Sequence, residues 1–121
     1  MRPRVSLTFR HIERSGELEA RLLEAAERLV RSHPGMTRCH VTVEGKSDAR
    51  AGHSHCTVKI HVSVPGAQIH ADSVQHPGEA HHDVYAALRE AYSSARRQLQ
   101  ALENTQKSSL AREARAVMRG D

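Results

Sequence analysis

The chain reads as an α+β domain: a two-layer sandwich in the order β-α-β-β-β-α, with two helices on one face of a four-stranded sheet. Two observations predict this. Four segments alternate apolar and polar residues, the period of a half-buried strand, and two segments carry apolar residues at helical spacing. Each strand then has one apolar face and each helix one apolar stripe. The simplest way to bury all of them lays both helices over the same side of the sheet. Length agrees, since 121 residues suit a single domain that buries roughly two-thirds of its unfolded surface. Aromatic residues make up only 2% of the chain, so the core must come from Val, Leu, Ile and Ala.

The elements follow in order. Residues 4–10 alternate, with Val5, Leu7 and Phe9 apolar between Arg4, Ser6, Thr8 and Arg10, which reads as a strand. Ser15 is a helix N-cap, and Glu17 and Glu19 are favourably placed in the first turn. Leu18, Leu22, Ala25, Ala26 and Leu29 form the stripe of that helix. It stops at His33-Pro34-Gly35, because proline disfavours the helical conformation of the residue before it. Residues 38–44 alternate again, with Cys39, Val41 and Val43 on one side. Residues 45–55 are polar and Gly-containing and read as a loop. Cys56, Val58, Ile60, Val62 and Val64 form one face of the clearest strand in the chain. Pro65-Gly66 then predicts a type II turn, with Gly at the positive-φ position. A partner strand over 68–73 points Ile69 and Ala71 inward and completes a hairpin.

Residues 75–82 read as a loop rich in His, Pro and Gly. Asp83 caps a second helix over 84–102, whose stripe is Val84, Leu88, Ala91, Ala95, Leu99 and Leu102. Residues 1–102 are thus the expected folded domain. Residues 103–121 keep only a weak apolar spacing and carry Lys107, Arg112, Arg115 and Arg119. They are expected to be a basic tail, either a frayed helical extension or disordered.

Several function classes are disfavoured at once. No run of 18 or more apolar residues exists, so no spanning helix is expected. The basic N-terminus leads into an alternating segment cut off by Arg10, which is not the core of a signal peptide. Two cysteines, Cys39 and Cys56, make no disulfide framework and read as free thiols in a reducing cytosol. Both fall on inward strand faces, where a thiol behaves as a small hydrophobe. No Gly-rich phosphate loop and no nucleophile elbow occurs. Glu24 and Glu27 lie among Arg21, Arg28 and Arg31, as on a solvated helix face. The expectation is therefore a non-enzyme without cofactor or small-molecule substrate.

Ten histidines are the oddest feature of the composition. His53, His55 and Cys56 are ligand types at short spacing, but a metal site needs three or four converging ligands, and neither a CxxC pair nor an HExxH helix is present. No metal site is expected, and the histidines read as surface groups able to hydrogen-bond phosphate or sugar. Several would gain charge below about pH 6.5, so affinity for a polyanion should rise there.

The face of the sheet left uncovered by the helices would present Arg4, Thr8, Arg10, Arg38, His40, Thr42, Lys59, His61, Gln68 and His70. It is basic, with no acid among these ten. Arg89, Ser93, Arg96 and Arg97 share one face of the second helix, and Arg21 and Arg28 share one face of the first. With a formal charge of +4, this spread points to a polyanion. The scarcity of aromatic residues points to recognition of backbone and shape rather than of stacked bases. The candidate RNA contacts are Arg10, Arg21, Arg28, Arg38, Lys59, His61, Arg89, Arg96 and Arg97.

Asp83-Val84-Tyr85-Ala86-Ala87-Leu88, continued by Arg96-Arg97-Gln98-Leu99, resembles the second helix of the hibernation promoting factor family. This family is also called the ribosome-associated inhibitor or sigma-54 modulation family. Gly66-Ala67-Gln68-Ile69-His70-Ala71 is similar to that family's hairpin, and Arg38 to Glu44 and the Leu18–Leu29 helix fit its first half. The likeness covers about residues 4–102 and is to the short form of the family. It implies a fold similar to a double-stranded-RNA-binding domain with an added strand. It also implies binding to the small ribosomal subunit over ribosomal RNA in the cytoplasm, with messenger and transfer RNA sterically blocked under stress. By position, Arg28 and Arg97 match basic residues of the family's two helices. Two other readings stand beside it: an RNA-binding module for another structured RNA, and a His-based metal-binding protein.

Overall fold

The computed structural model describes residues 4–48, 53–73 and 83–118. Six elements run in the expected order: β1 (Arg4–Arg10), α1 (Gly16–Ser32), β2 (Arg38–Asp48), β3 (His53–Val64), β4 (Ala67–Asp72) and α2 (Val84–Met118). The sheet order is β1-β2-β3-β4. β1 and β2 are parallel, joined by the α1 crossover, and β2, β3 and β4 form an antiparallel meander. α1 lies over β1 and β2, and α2 over β3 and β4. This is the two-layer α+β sandwich, with its mixed sheet covered on one side.

Local chemistry sets the element ends. The Ser15 hydroxyl accepts the Leu18 N–H at 3.1 Å, satisfying one of the first-turn donors that a helix leaves open. The Asp83 carboxylate does the same for Tyr85 at 2.9 Å. At the other end of α1, the Met36 N–H closes a turn onto the His33 carbonyl at 3.0 Å. Gly66 takes φ 81°, the value a type II turn requires after Pro65.

The core is the one the alternation marks. Leu18, Leu22, Ala26 and Leu29 of α1 meet Cys39, Val41 and Val43 of β2 and Val58, Ile60, Val62 and Val64 of β3. Ile69 and Ala71 of β4 and Ala87, Leu88, Ala91, Ala95 and Leu99 of α2 complete it. Met36, which no periodicity singled out, is also buried. Val5, Leu7 and Phe9 are only half-buried, because β1 is an edge strand. Ser73 is buried beyond the end of β4, where its hydroxyl accepts the Val58 N–H at 3.0 Å and its own N–H reaches the Val58 carbonyl.

Two boundaries differ from the sequence expectation. Residues 45–48 and 53–55, expected in a loop, extend β2 and β3, with Gly45 opposite Cys56 and Asp48 opposite His53. Backbone pairing alone continues a ribbon past the core, and its polar sequence has no apolar alternation to betray it. The second helix, read over about 84–102, runs on to Met118 through residues expected as either a helical extension or a disordered tail. Residues 103–118 contain neither Gly nor Pro and are rich in good helix formers, so nothing in the chain stops it. The expected 75–82 loop lies outside the described residues.

Candidate nucleic-acid interface

The strand register arranges the uncovered sheet face in rows that run across the strands. Arg4, Arg38, Ser63 and Gln68 form one row; Ser6, His40, His61 and His70 the next; then Thr8, Thr42, Lys59 and Asp72; then Arg10, Glu44 and Thr57, beyond which the register continues through Lys46 opposite His55 and Asp48 opposite His53. Of the expected contacts, Arg10, Arg38, Lys59 and His61 are therefore on one surface. Arg10, Arg38 and Lys59 are exposed and His61 is half-buried. Two acids join the ten residues named from the sequence on this face. Glu44 sits opposite Arg10, and Asp72 opposite Lys59. Strand alternation carries any residue of the right parity to that face, whatever its charge. Among the described residues, Arg4, Arg10, Arg38 and Lys59 stand against these two carboxylates, so the surface remains basic.

The second row has its own bonding. The two ring nitrogens of His40 meet the Ser6 hydroxyl and, at 2.9 Å, the Thr8 hydroxyl. Burial, together with the charges of Arg38, His61 and Arg10, holds His40 below the ordinary imidazole range. It is thus a neutral clasp between β2 and β1. The rings of His61 and His70 stack with centroids 4.2 Å apart and planes 19° from parallel. The His61 Nε2 lies 3.2 Å from the Gln68 side-chain oxygen. Gln98 of α2 donates to the His70 carbonyl at 3.0 Å, which ties β4 to the helix layer.

The remaining expected contacts lie on the opposite, helical side. Arg21 and Arg28 of α1 and Arg89 of α2 rim a groove of about 160 Å³ whose floor includes Ala25, Leu88 and Tyr92. Arg96 and Arg97 continue the band along α2 with Ser93 and Gln100. The Arg21 guanidinium sits 5.9 Å from the centre of the Tyr85 ring, and Arg96 at the same distance from Tyr92. These arginines cover the rings, which are half-buried, so the tyrosines are not open stacking platforms. Arg28 pairs with Glu24 at 3.2 Å one helical turn away. That pair is exposed, so the attraction is screened and Arg28 keeps most of its outward field.

The nine expected residues thus form two surfaces, back to back on the sandwich, and not one patch. The His61–His70 stack was within reach of the sequence, because a two-residue turn at Pro65-Gly66 fixes that hairpin's register. The His40–His61 pairing was not, since residues 49–52 give no turn signature. Elsewhere, burial raises the Cys39 thiol to about 11, leaving it a packed hydrophobe and no nucleophile. Among the described residues, no group of three or more His, Cys, Asp or Glu side chains is placed to hold a metal. The His53 side chain lies outside that description. Among the described residues, no helix is long and apolar enough to cross a membrane.

Comparison with known proteins gives four results. The crystal structure of the Thermus thermophilus Protein Y N-terminal domain superposes with a TM-score of 0.58 at 21% identity, covering 83% of this chain and 98% of that one. It shares the fold. The structure of a ribosomal subunit interface protein from Coxiella burnetii superposes with a TM-score of 0.48 at 15% identity, over 89% of this chain and 98% of that one. A search of curated proteins finds no significant match. The sequence pattern of one family matches residues 5–107, which spans both basic surfaces and every core element. The chain belongs to that family, described as sigma 54 modulation protein / S30EA ribosomal protein.

Proposed function

We propose that this protein binds the small ribosomal subunit over ribosomal RNA and inhibits translation by occupying the path of messenger and transfer RNA. The observation that carries the reading is the placement of arginine-rich surfaces on both sides of a thin sandwich. A protein that lies on one duplex needs a single basic face. One that is basic on both sides suits a cleft walled by phosphate, where each wall releases counterions on contact. Membership in a family described by a ribosomal protein supports the same partner.

The mechanism is steric. A rigid two-layer body filling the cleft leaves no room for other RNA, so neither catalysis nor a cofactor enters the account. A cytosolic site of action follows from the partner. Most contacts go to backbone phosphate, because the three aromatic side chains of the chain are packed against the core and not offered to bases.

The test uses isolated small and large subunits in a pelleting assay at two salt concentrations. Wild-type protein should travel with the small subunit, and less so at high salt. R38E/K59E reverses charge on the sheet face and R89E/R96E/R97E on the helical face. Each set alone should reduce co-sedimentation by at least about tenfold, since each removes several phosphate contacts. Loss from only one set would mean one-sided binding and would sink the wedge. Equal competition by a generic RNA duplex would favour an RNA-binding module with another target.

A further inference from the structure

The row of histidines has a geometry that general basicity does not explain. Three imidazoles occupy consecutive positions in one row on β2, β3 and β4. The first is locked by its neighbours, for both His40 nitrogens are engaged by β1 hydroxyls. The other two are stacked and lie in a shallow depression with Thr42, Lys59 and Asp72. His70 is exposed, so solvent and solutes reach the pair.

We propose that His61 and His70, with Lys59 beside them and Arg38 one row above, form a site for an RNA backbone phosphate that takes up protons as the phosphate binds. The inference rests on the reading that the sheet face meets RNA and names the chemistry of that contact. The two rings stack with centroids 4.2 Å apart and His70 is open to solvent, so one phosphodiester can reach both. A phosphodiester placed across them favours the charged form of each ring, and each imidazolium then gives it a charge-assisted hydrogen bond. By linkage, binding draws in protons, and acidification strengthens binding.

The surroundings set the balance. β1 contributes Arg10 through its field on His40, and β2 contributes Arg38 and the neutral His40. β3 supplies Lys59, and β4 supplies Asp72, the one carboxylate lining the depression among the described residues, together with Gln68 on the His61 ring. From α2, the uncharged Gln98 donates to the His70 carbonyl. Lys59 stands opposite Asp72 in the strand register.

The experiment needs no ribosome. Binding of a fluorescent uridylate dodecamer is measured on the full chain near pH 6 and near pH 8. Wild type should bind about tenfold tighter at the lower pH. H61Q/H70Q should compress that ratio to about twofold, and H61Q/H70K, which carries a fixed charge, should bind well at both pH values. A wild-type ratio preserved in H61Q/H70Q overturns the proposal, because other histidines would then carry the effect. If H61Q/H70Q loses its fold by circular dichroism, the decision passes to imidazole NMR signals of wild type titrated with inorganic pyrophosphate. Larger shifts at His61 and His70 than at His11 and His33 support the site, and equal or absent shifts overturn it. Failure here leaves ribosome co-sedimentation untouched, whereas failure to co-sediment with this response intact would remove only the ribosomal reading.

Discussion

His40 shows how one side chain ties function to stability. Its ring bridges Ser6 and Thr8 of the edge strand, and burial with nearby positive charge favours its neutral form in the fold. The unfolded chain has no such preference and protonates near the usual value of about 6.5. As pH falls through that value, the unfolded state gains a proton before the folded state does, so stability declines, levelling only below the depressed folded value. Removing the ring removes this component. The difference in melting temperature between wild type and H40Q should therefore be largest near pH 8 and shrink toward pH 5. A difference that is constant with pH would contradict the assignment. The thiol of Cys39 makes the complementary point: it sits in the same strand with opposite parity and is buried, so one residue of register separates core from interface.

At the level of elements, the polar extension of β2 and β3 depends on a glycine. A Cβ added at Gly45 would run into the His11 carbonyl oxygen and lie 3.3 Å from the Ile12 Cβ. His11 itself takes φ 55°, a left-handed conformation that turns the chain sharply after β1. The turn and the strand therefore approach too closely for any side chain but hydrogen. Gly45→Ala should cost about 1–3 kcal/mol in chemical denaturation, as overpacking does elsewhere. A neutral result would show that the His11 turn yields without cost. This constraint had no sequence signature, for Gly45 read as loop chemistry. The ends of α1, by contrast, were legible from Ser15 and from Pro34-Gly35, because capping and proline sterics act within a few residues.

For the whole molecule, the question is where the folded unit ends. The last described side chain packed on the core is Leu102, and Asn104 and Thr105 are exposed, although the helix runs on to Met118. The sandwich should not need that extension. Ending the chain after Thr105 should change unfolding free energy by no more than about 0.5 kcal/mol, the range of surface changes remote from the core. A large drop in melting temperature would show that the distal helix packs back on the body.

The sequence by itself determined the two-layer architecture, the element order, most of the core and the basic character of the uncovered face. Those properties follow from periodicity, capping and turn chemistry, which are local. Only tertiary structure brought Arg21 and Arg28 of α1 together with Arg89 of α2 around one groove. Only it aligned His40 with His61 across β2 and β3. Relations of that kind depend on strand register across undetermined connections and on how the two helices sit side by side, and no local pattern in one chain encodes them.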